Sequence, residues 1–138
     1  MTVGIKMDFL WYPIGTPDFL FSFFSTIAVR LEKNEWGSKY PIMMKELYSG
    51  AIEKINLENA LLELNEIRNE LANFAPGEIV WNAEDLEQAP PWGDCISESI
   101  TDLSNYFVTT DGRDLLKVIE EAINEGILEK QGIEISSL

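Results

Sequence analysis

The sequence predicts an α+β fold, with a small, mostly antiparallel sheet and about four helices packed against it. Three observations carry that reading. The first residues alternate between apolar and polar side chains. Residues 57–74 repeat apolar side chains at three-and-four spacing. The order of elements along the chain runs strand, three helices, strand, long loop, helix, strand.

Val3, Ile5, Met7, Phe9 and Trp11 alternate with Gly4, Lys6, Asp8, Leu10 and Tyr12. A period of two predicts one strand with one buried face, ended by Pro13 and Gly15. Thr16-Pro17 then opens a helix, with Thr16 as N-cap, Pro17 at the first helical position and Asp18 in the first turn. This helix is expected to run to about Lys33. It is apolar nearly all round at Phe19, Leu20, Phe21, Phe23, Phe24 and Ile27, which places it centrally. Trp36-Gly37 reads as a turn, followed by a shorter helix from about Pro41 to Gly50.

Asn56 is expected to cap the clearest amphipathic helix. Leu57, Ala60, Leu61, Leu64, Ile67, Leu71 and Phe74 form its inner stripe, with Glu58, Glu63, Glu66, Arg68 and Glu70 outside. Pro76-Gly77 stops it. Glu78 to Trp81 reads as a short strand. Residues 82–99 hold no steady period and contain Pro90-Pro91-Trp92-Gly93, so they predict a long loop of the kind that often carries function. One or two helical turns are expected over Ile100–Phe107. Asp111 and Asp114 resemble a capping box for a helix with Leu115, Leu116, Ile119, Ala122 and Ile123 on one face. Gly126 reads as its C-terminal stop, and Ile133–Ile135 as a closing edge strand.

At 138 residues, a single domain over 1–138 is expected. Hydrophobic residues make up 46% of the chain, ample for one core and too many for compositional disorder. Met1–Asp8 lacks the regions of a signal peptide. Phe19–Leu31 is interrupted by Ser22, Ser25, Thr26 and Arg30, too short and polar to span a bilayer. With a single cysteine nothing requires an oxidising compartment. A soluble cytoplasmic protein is the simplest expectation. Trp36, Tyr40, Met43 and Met44 fit a dimer surface and a core equally well.

Ten Lys+Arg stand against 24 Asp+Glu, a formal net charge of −14. The excess is uneven. Residues 1–50 are neutral, while no base lies between Arg68 and Arg113. That interval holds Glu70, Glu78, Glu84, Asp85, Glu87, Asp94, Glu98, Asp102 and Asp111. A surface of one sign steers an oppositely charged partner and repels nucleic acid and anionic lipid. Direct nucleic-acid binding is disfavoured, since phosphate contacts need Lys and Arg. Solubility alone is the competing explanation of the acidity.

The chain has no histidine, the usual general base and commonest metal ligand. Cys95 therefore lacks the normal activator of a thiol nucleophile and reads as a plain unpaired thiol. No nucleophile elbow, Walker loop or dinucleotide fingerprint is present. No cofactor is expected. Glu84, Asp85, Glu87 and Asp94 offer oxygen ligands for Mg²⁺ or Ca²⁺, but the calcium-loop pattern is absent and a solvated acidic surface is the plainer reading. Trp81 and Trp92 bracket the acidic loop, with Tyr106 nearby. Aromatics among acids are the composition of an interface for Arg and Lys. Trp81, inside an apolar run, reads rather as a core or loop anchor.

Several strings resemble the bacterial immunity protein 70 family: Pro90-Pro91-Trp92-Gly93, the run Ile100–Thr109, Asp111-Gly112-Arg113-Asp114-Leu115, Asp8-Phe9-Leu10-Trp11-Tyr12, Phe23-Phe24-Ser25-Thr26 and Trp36-Gly37. The resemblance implies a non-enzymatic cytoplasmic inhibitor of a cognate polymorphic toxin used in interbacterial competition. A basic, nuclease-type toxin domain is the expected partner, because its phosphate-binding cleft would accept an acidic inhibitor. The expected contacts are Glu78, Glu84, Asp85, Glu87, Asp94, Glu98 and Asp102, with Trp92 as an apolar anchor. An acidic adaptor for some other basic protein is the second reading, and a metal-dependent enzyme the third.

Overall fold

The computed structural model describes residues 2–137. The N-terminal alternation belongs to two strands, not one: β1 (Val3–Met7) and β2 (Leu10–Gly15) form a hairpin. Met7 pairs with Leu10 across a two-residue turn, and Asp8 adopts φ +55 there, a conformation Asp tolerates better than most residues. The turn switches the inward parity. Val3, Ile5 and Met7 are buried on β1, but Ile14 is the buried apolar side chain of β2, while Phe9, expected inside, is 96% exposed at the tip. Gly4 is required here. A side chain at that position would strike the Tyr12 carbonyl and the Trp11 indole, which lie over the gap it leaves.

β3 (Ala51–Ile52) and β4 (Ile133–Ser137) complete an antiparallel sheet in the order β2-β1-β4-β3. Ile133–Ile135 was expected at an edge. Instead β4 lies inside the sheet, and the unforeseen β3 supplies the edge. β2 is the other edge, where Pro13 is tolerated. The predicted strand Glu78–Trp81 does not form. Pro76–Glu78 is a single 3-10 turn and Val80 pairs with a helix.

The helices follow the sequence more closely. Thr16 caps α1 (Pro17–Thr26), its Oγ1 accepting the Phe19 N–H at 3.1 Å, and Pro17 opens it. The helix continues as a π-helical turn, Ile27–Leu31, and is buried over most of its surface. A second π-helical segment, Ile42–Leu47, occupies the expected short helix. Tyr40, Met43 and Met44 are fully buried, which resolves their two readings in favour of the core.

α2 (Leu57–Leu71) buries Leu57, Ala60, Leu64, Ile67 and Leu71. Asn56 precedes it but does not cap it, because it closes the 3-10 turn Lys54–Asn56 with helical backbone angles, φ −101 and ψ −1; its amide donates to Glu46. Glu63, expected on the outer face, accepts the N–H groups of Ile42 and Met43 at 3.2 and 2.9 Å and so caps the neighbouring π-helical segment. The buried Glu32 accepts three main-chain N–H groups, from Gly37, Lys39 and Tyr40.

α3 (Leu115–Glu129) is capped by Asp114 alone, whose carboxylate accepts the Leu116 N–H; Asp111 bonds the Thr109 hydroxyl instead of completing a box. Gly126 does not end this helix. The end comes at Lys130, with φ +57, where Gln131 N–H reaches Gly126 O and Lys130 N–H reaches Ile127 O. Gly126 is needed for close packing instead, since a Cβ there would sit 2.7 Å from the Gln131 carbonyl and 2.8 Å from Leu57 Cδ1. Among the described residues no helix is long and apolar enough to cross a membrane.

Two stability predictions follow from these contacts. Helix propensity alone gives Gly126→Ala a gain of about 1 kcal/mol. Overpacking costs about 1–3 kcal/mol, and the Gln131 carbonyl is fixed by the helix-end turn, so chemical denaturation should show a net loss. The second concerns pH. Burial raises the Glu63 carboxyl above its ordinary range, although the Met43 and Ile42 N–H groups pull it back. A raised acid makes its ionised form a cost in the folded state. The contribution of Glu63 to stability should therefore rise as pH falls from neutral through the raised value, and the gain should be complete below the unfolded value of about 4.3. The difference in denaturation midpoint between the parent chain and Glu63→Gln, measured against pH, should show this change.

Candidate functional site

Between the 3-10 turn and α3 the chain contains neither helix nor ladder strand, only turns and a single bridge between Val108 and Asp114. The helical turns expected over Ile100–Phe107 are absent. Such a segment still has to satisfy its main-chain polar groups where it is buried. It does so at three places. At its start, the hydroxyls of Ser22 and Thr26 both donate to the Val80 carbonyl, at 2.9 and 3.1 Å, and the Val80 N–H donates to Thr26 Oγ1 at 3.1 Å. Ser25 accepts the Ala83 N–H, and Arg30 Nε donates to the Glu78 carbonyl. In the middle, the Leu103 N–H reaches the Phe74 carbonyl; near the end, the Thr110 N–H reaches that of Ile14 on β2. The hydroxyl residues that interrupt the apolar run of α1 are the ones that hold the loop.

An aromatic chain links this segment to the core. Phe107 packs edge-on to Phe23 and Phe19, and Tyr106 packs edge-on to Phe107. Trp92 Nε1–H donates to the Tyr106 hydroxyl at 2.8 Å, and Trp81 meets Trp92 edge-on at 5.3 Å between ring centroids. Tyr106 is buried, and Trp92 is 36% exposed. Trp92 is therefore both a loop anchor and a surface residue. Burial pushes the Tyr106 hydroxyl up, with the Trp92 bond opposing and the Asp94 charge adding to the rise, so it stays protonated at neutral pH.

The acids divide into two groups. Glu78 turns back to accept the Ala75 N–H at 2.8 Å. Asp102 accepts from the Ser104 N–H, the Ser104 hydroxyl and the Thr101 hydroxyl. Burial raises the Asp102 carboxyl, but these bonds outweigh it and hold the group below its ordinary range. Both acids are occupied with local structure. Glu84, Asp85, Glu87, Asp94 and Glu98 are exposed. Asp85 accepts only the Glu87 N–H, at 3.2 Å. The ion pairs among the described residues lie elsewhere: Lys39 with Glu70, Arg68 with Glu120 and Arg113 with Glu121.

Glu87 and Asp94 line one open cleft of about 490 Å³, between the turn at Pro76-Gly77 and the loop from Leu86 to Ile96, with Tyr106 also on its wall. A second cleft of about 310 Å³ lies between Trp92, the exposed Cys95 and Phe19. Glu84, Asp85 and Glu98 line neither. Among the described residues no three acid or cysteine side chains converge to hold a metal ion, so the structure does not bring Glu84, Asp85, Glu87 and Asp94 together as a chelating set.

A family model described as Immunity protein 70 matches residues 5–135. No curated protein and no solved structure matches the chain.

The hydroxyl contacts make a direct prediction. Thr26→Val keeps the side-chain shape but leaves the buried Val80 N–H without its acceptor. That should cost about 1–3 kcal/mol in denaturation and speed amide exchange at Val80 and Ala83 more than in α2.

Proposed function

We propose that this chain, which belongs to the immunity protein 70 family, protects the cell that makes it by binding and blocking a cognate toxin. Membership implies a toxin protein as partner. The finer reading is that the toxin is a basic, nuclease-type domain, met in the cytoplasm and inhibited by occlusion without catalysis by this chain, which acts as one domain over 1–138.

One observation carries that reading: the exposed carboxylates of Glu84, Asp85, Glu87, Asp94 and Glu98 have no cationic partner among the described residues, on a segment that contains no base. A matching cationic cleft offsets the cost of desolvating unpaired charge of one sign on a pinned loop, and a neutral one leaves that cost uncompensated. The carboxylates would take the places of substrate phosphates. Complementary charge chiefly accelerates association, while the partly exposed Trp92, locked by Tyr106, supplies apolar area that slows dissociation. Glu78 and Asp102, with their hydrogen bonds already made within their own turns, shape the loop and contribute less.

Capture from the native bacterium at low salt should retain one stoichiometric basic protein with a secreted-toxin architecture. A broad set of basic proteins released at modest salt would instead make the charge non-specific and favour the adaptor reading. With the captured partner in hand, replacing Glu84, Asp85, Glu87 and Asp94 by Gln or Asn should lower the association rate by about tenfold or more at low salt, and less at high salt. Unchanged kinetics in that variant would place the interface elsewhere.

A further inference from the structure

We propose that the 490 Å³ cleft beside Tyr106 is a socket for an arginine side chain carried on a loop of the partner. This rests on the reading above that the acidic loop faces a basic protein, and it adds which part of the loop holds the partner and which side chain is held. Three features mark the cleft, and the first and third set it apart from the rest of the acidic surface. Its walls combine two carboxylates, Glu87 and Asp94, with the apolar surfaces of Pro76, Ile79, Pro90 and Ile96. Both carboxylates are exposed and without an ion-pair partner among the described residues. One wall is fixed, because Tyr106 is only 4% exposed and is clamped between Phe107 and the Trp92 N–H.

These features match a guanidinium better than an ammonium. Arginine is planar and weakly hydrated and packs on flat apolar surfaces, while its five donors suit carboxylates at the rim. Its methylene stem takes the apolar wall. Lysine, a compact and strongly hydrated charge, gains less from such a wall. The volume lies within the range of ligand pockets and leaves space for the backbone that carries the side chain. Glu84 and Asp85 lie outside the cleft and act on a partner at longer range.

The test uses acetyl-arginine amide as probe and the whole chain labelled with ¹⁵N. Titration should give saturable shifts at the Trp92 indole N–H and at the Gly93, Asp94 and Ile96 amides, with amides of α2 unmoved. Acetyl-citrulline amide, the same shape without charge, should leave them in place, and acetyl-lysine amide should bind at least several-fold more weakly. The double variant Glu87→Gln, Asp94→Asn should lose the arginine response, whereas Glu84→Gln, Asp85→Asn should keep it. Because all four positions are exposed, both variants should fold, and their unperturbed α2 spectra check that. Absence of shifts, or equal shifts with citrulline or with the Glu87, Asp94 variant, overturns the socket. The acidic-loop reading fails separately: the fourfold acidic variant would then associate with the captured partner as fast as the parent does. If that variant associates slowly while the cleft ignores arginine, the loop steers the partner and the socket is wrong.

Discussion

The hydrogen bonds between α1 and Val80 are the contact on which the rest of this architecture depends. A segment running from the end of the 3-10 turn to α3 without a regular element has no internal ladder to satisfy its main chain. Ser22 and Thr26 provide that service from the middle of an otherwise apolar helix, and each is fully buried. Without them, Val80 would carry an unsatisfied carbonyl and N–H against the core. With them, Trp81 is delivered to Trp92, Trp92 to Tyr106, and the acidic loop is anchored at its base.

Carboxylates do three different jobs in this chain, and position decides which. Glu32, Glu63 and Asp114 accept main-chain N–H groups at helix ends or in a tight loop, and so act as structural acceptors. Glu78 closes the 3-10 turn that precedes the long segment, and Asp102 stabilises a turn within it. Glu84, Asp85, Glu87, Asp94 and Glu98 are left facing water. The few ion pairs are partly solvent-exposed and add little to stability. The long loop over residues 82–99 thus carries five exposed carboxylates without a base of its own to offset them.

Much of the fold was legible locally. Thr16-Pro17 starts its helix as its side chains dictate, and the inner stripe of α2 is the three-and-four repeat of its sequence; at α3 the cap falls on Asp114, three residues beyond the Asp111 that a capping box would use. The hairpin was not legible as such. A two-residue turn of Asp8 and Phe9 lets the alternation continue while the buried face changes from odd to even positions. Gly126 misled for a related reason: glycine near a helix end usually stops it, and here it admits Leu57 and the Gln131 carbonyl while Lys130 takes the left-handed position. In the candidate site, the sequence located the acidic loop and Trp92, but not the partition of its acids.

By itself the sequence determined the charge and its segregation, the absence of histidine chemistry, the α+β class, the major helices and the family. These are properties of composition, short-range spacing and strings of residues. Only the tertiary structure decided that Glu87 and Asp94 share a cleft beside Tyr106, and that Val80 pairs with a helix and not a sheet. The physical reason is distance along the chain. Periodicity fixes which face of an element is apolar, but a hydrogen-bond partner 54 or 58 residues away is chosen by packing, and no local pattern encodes it.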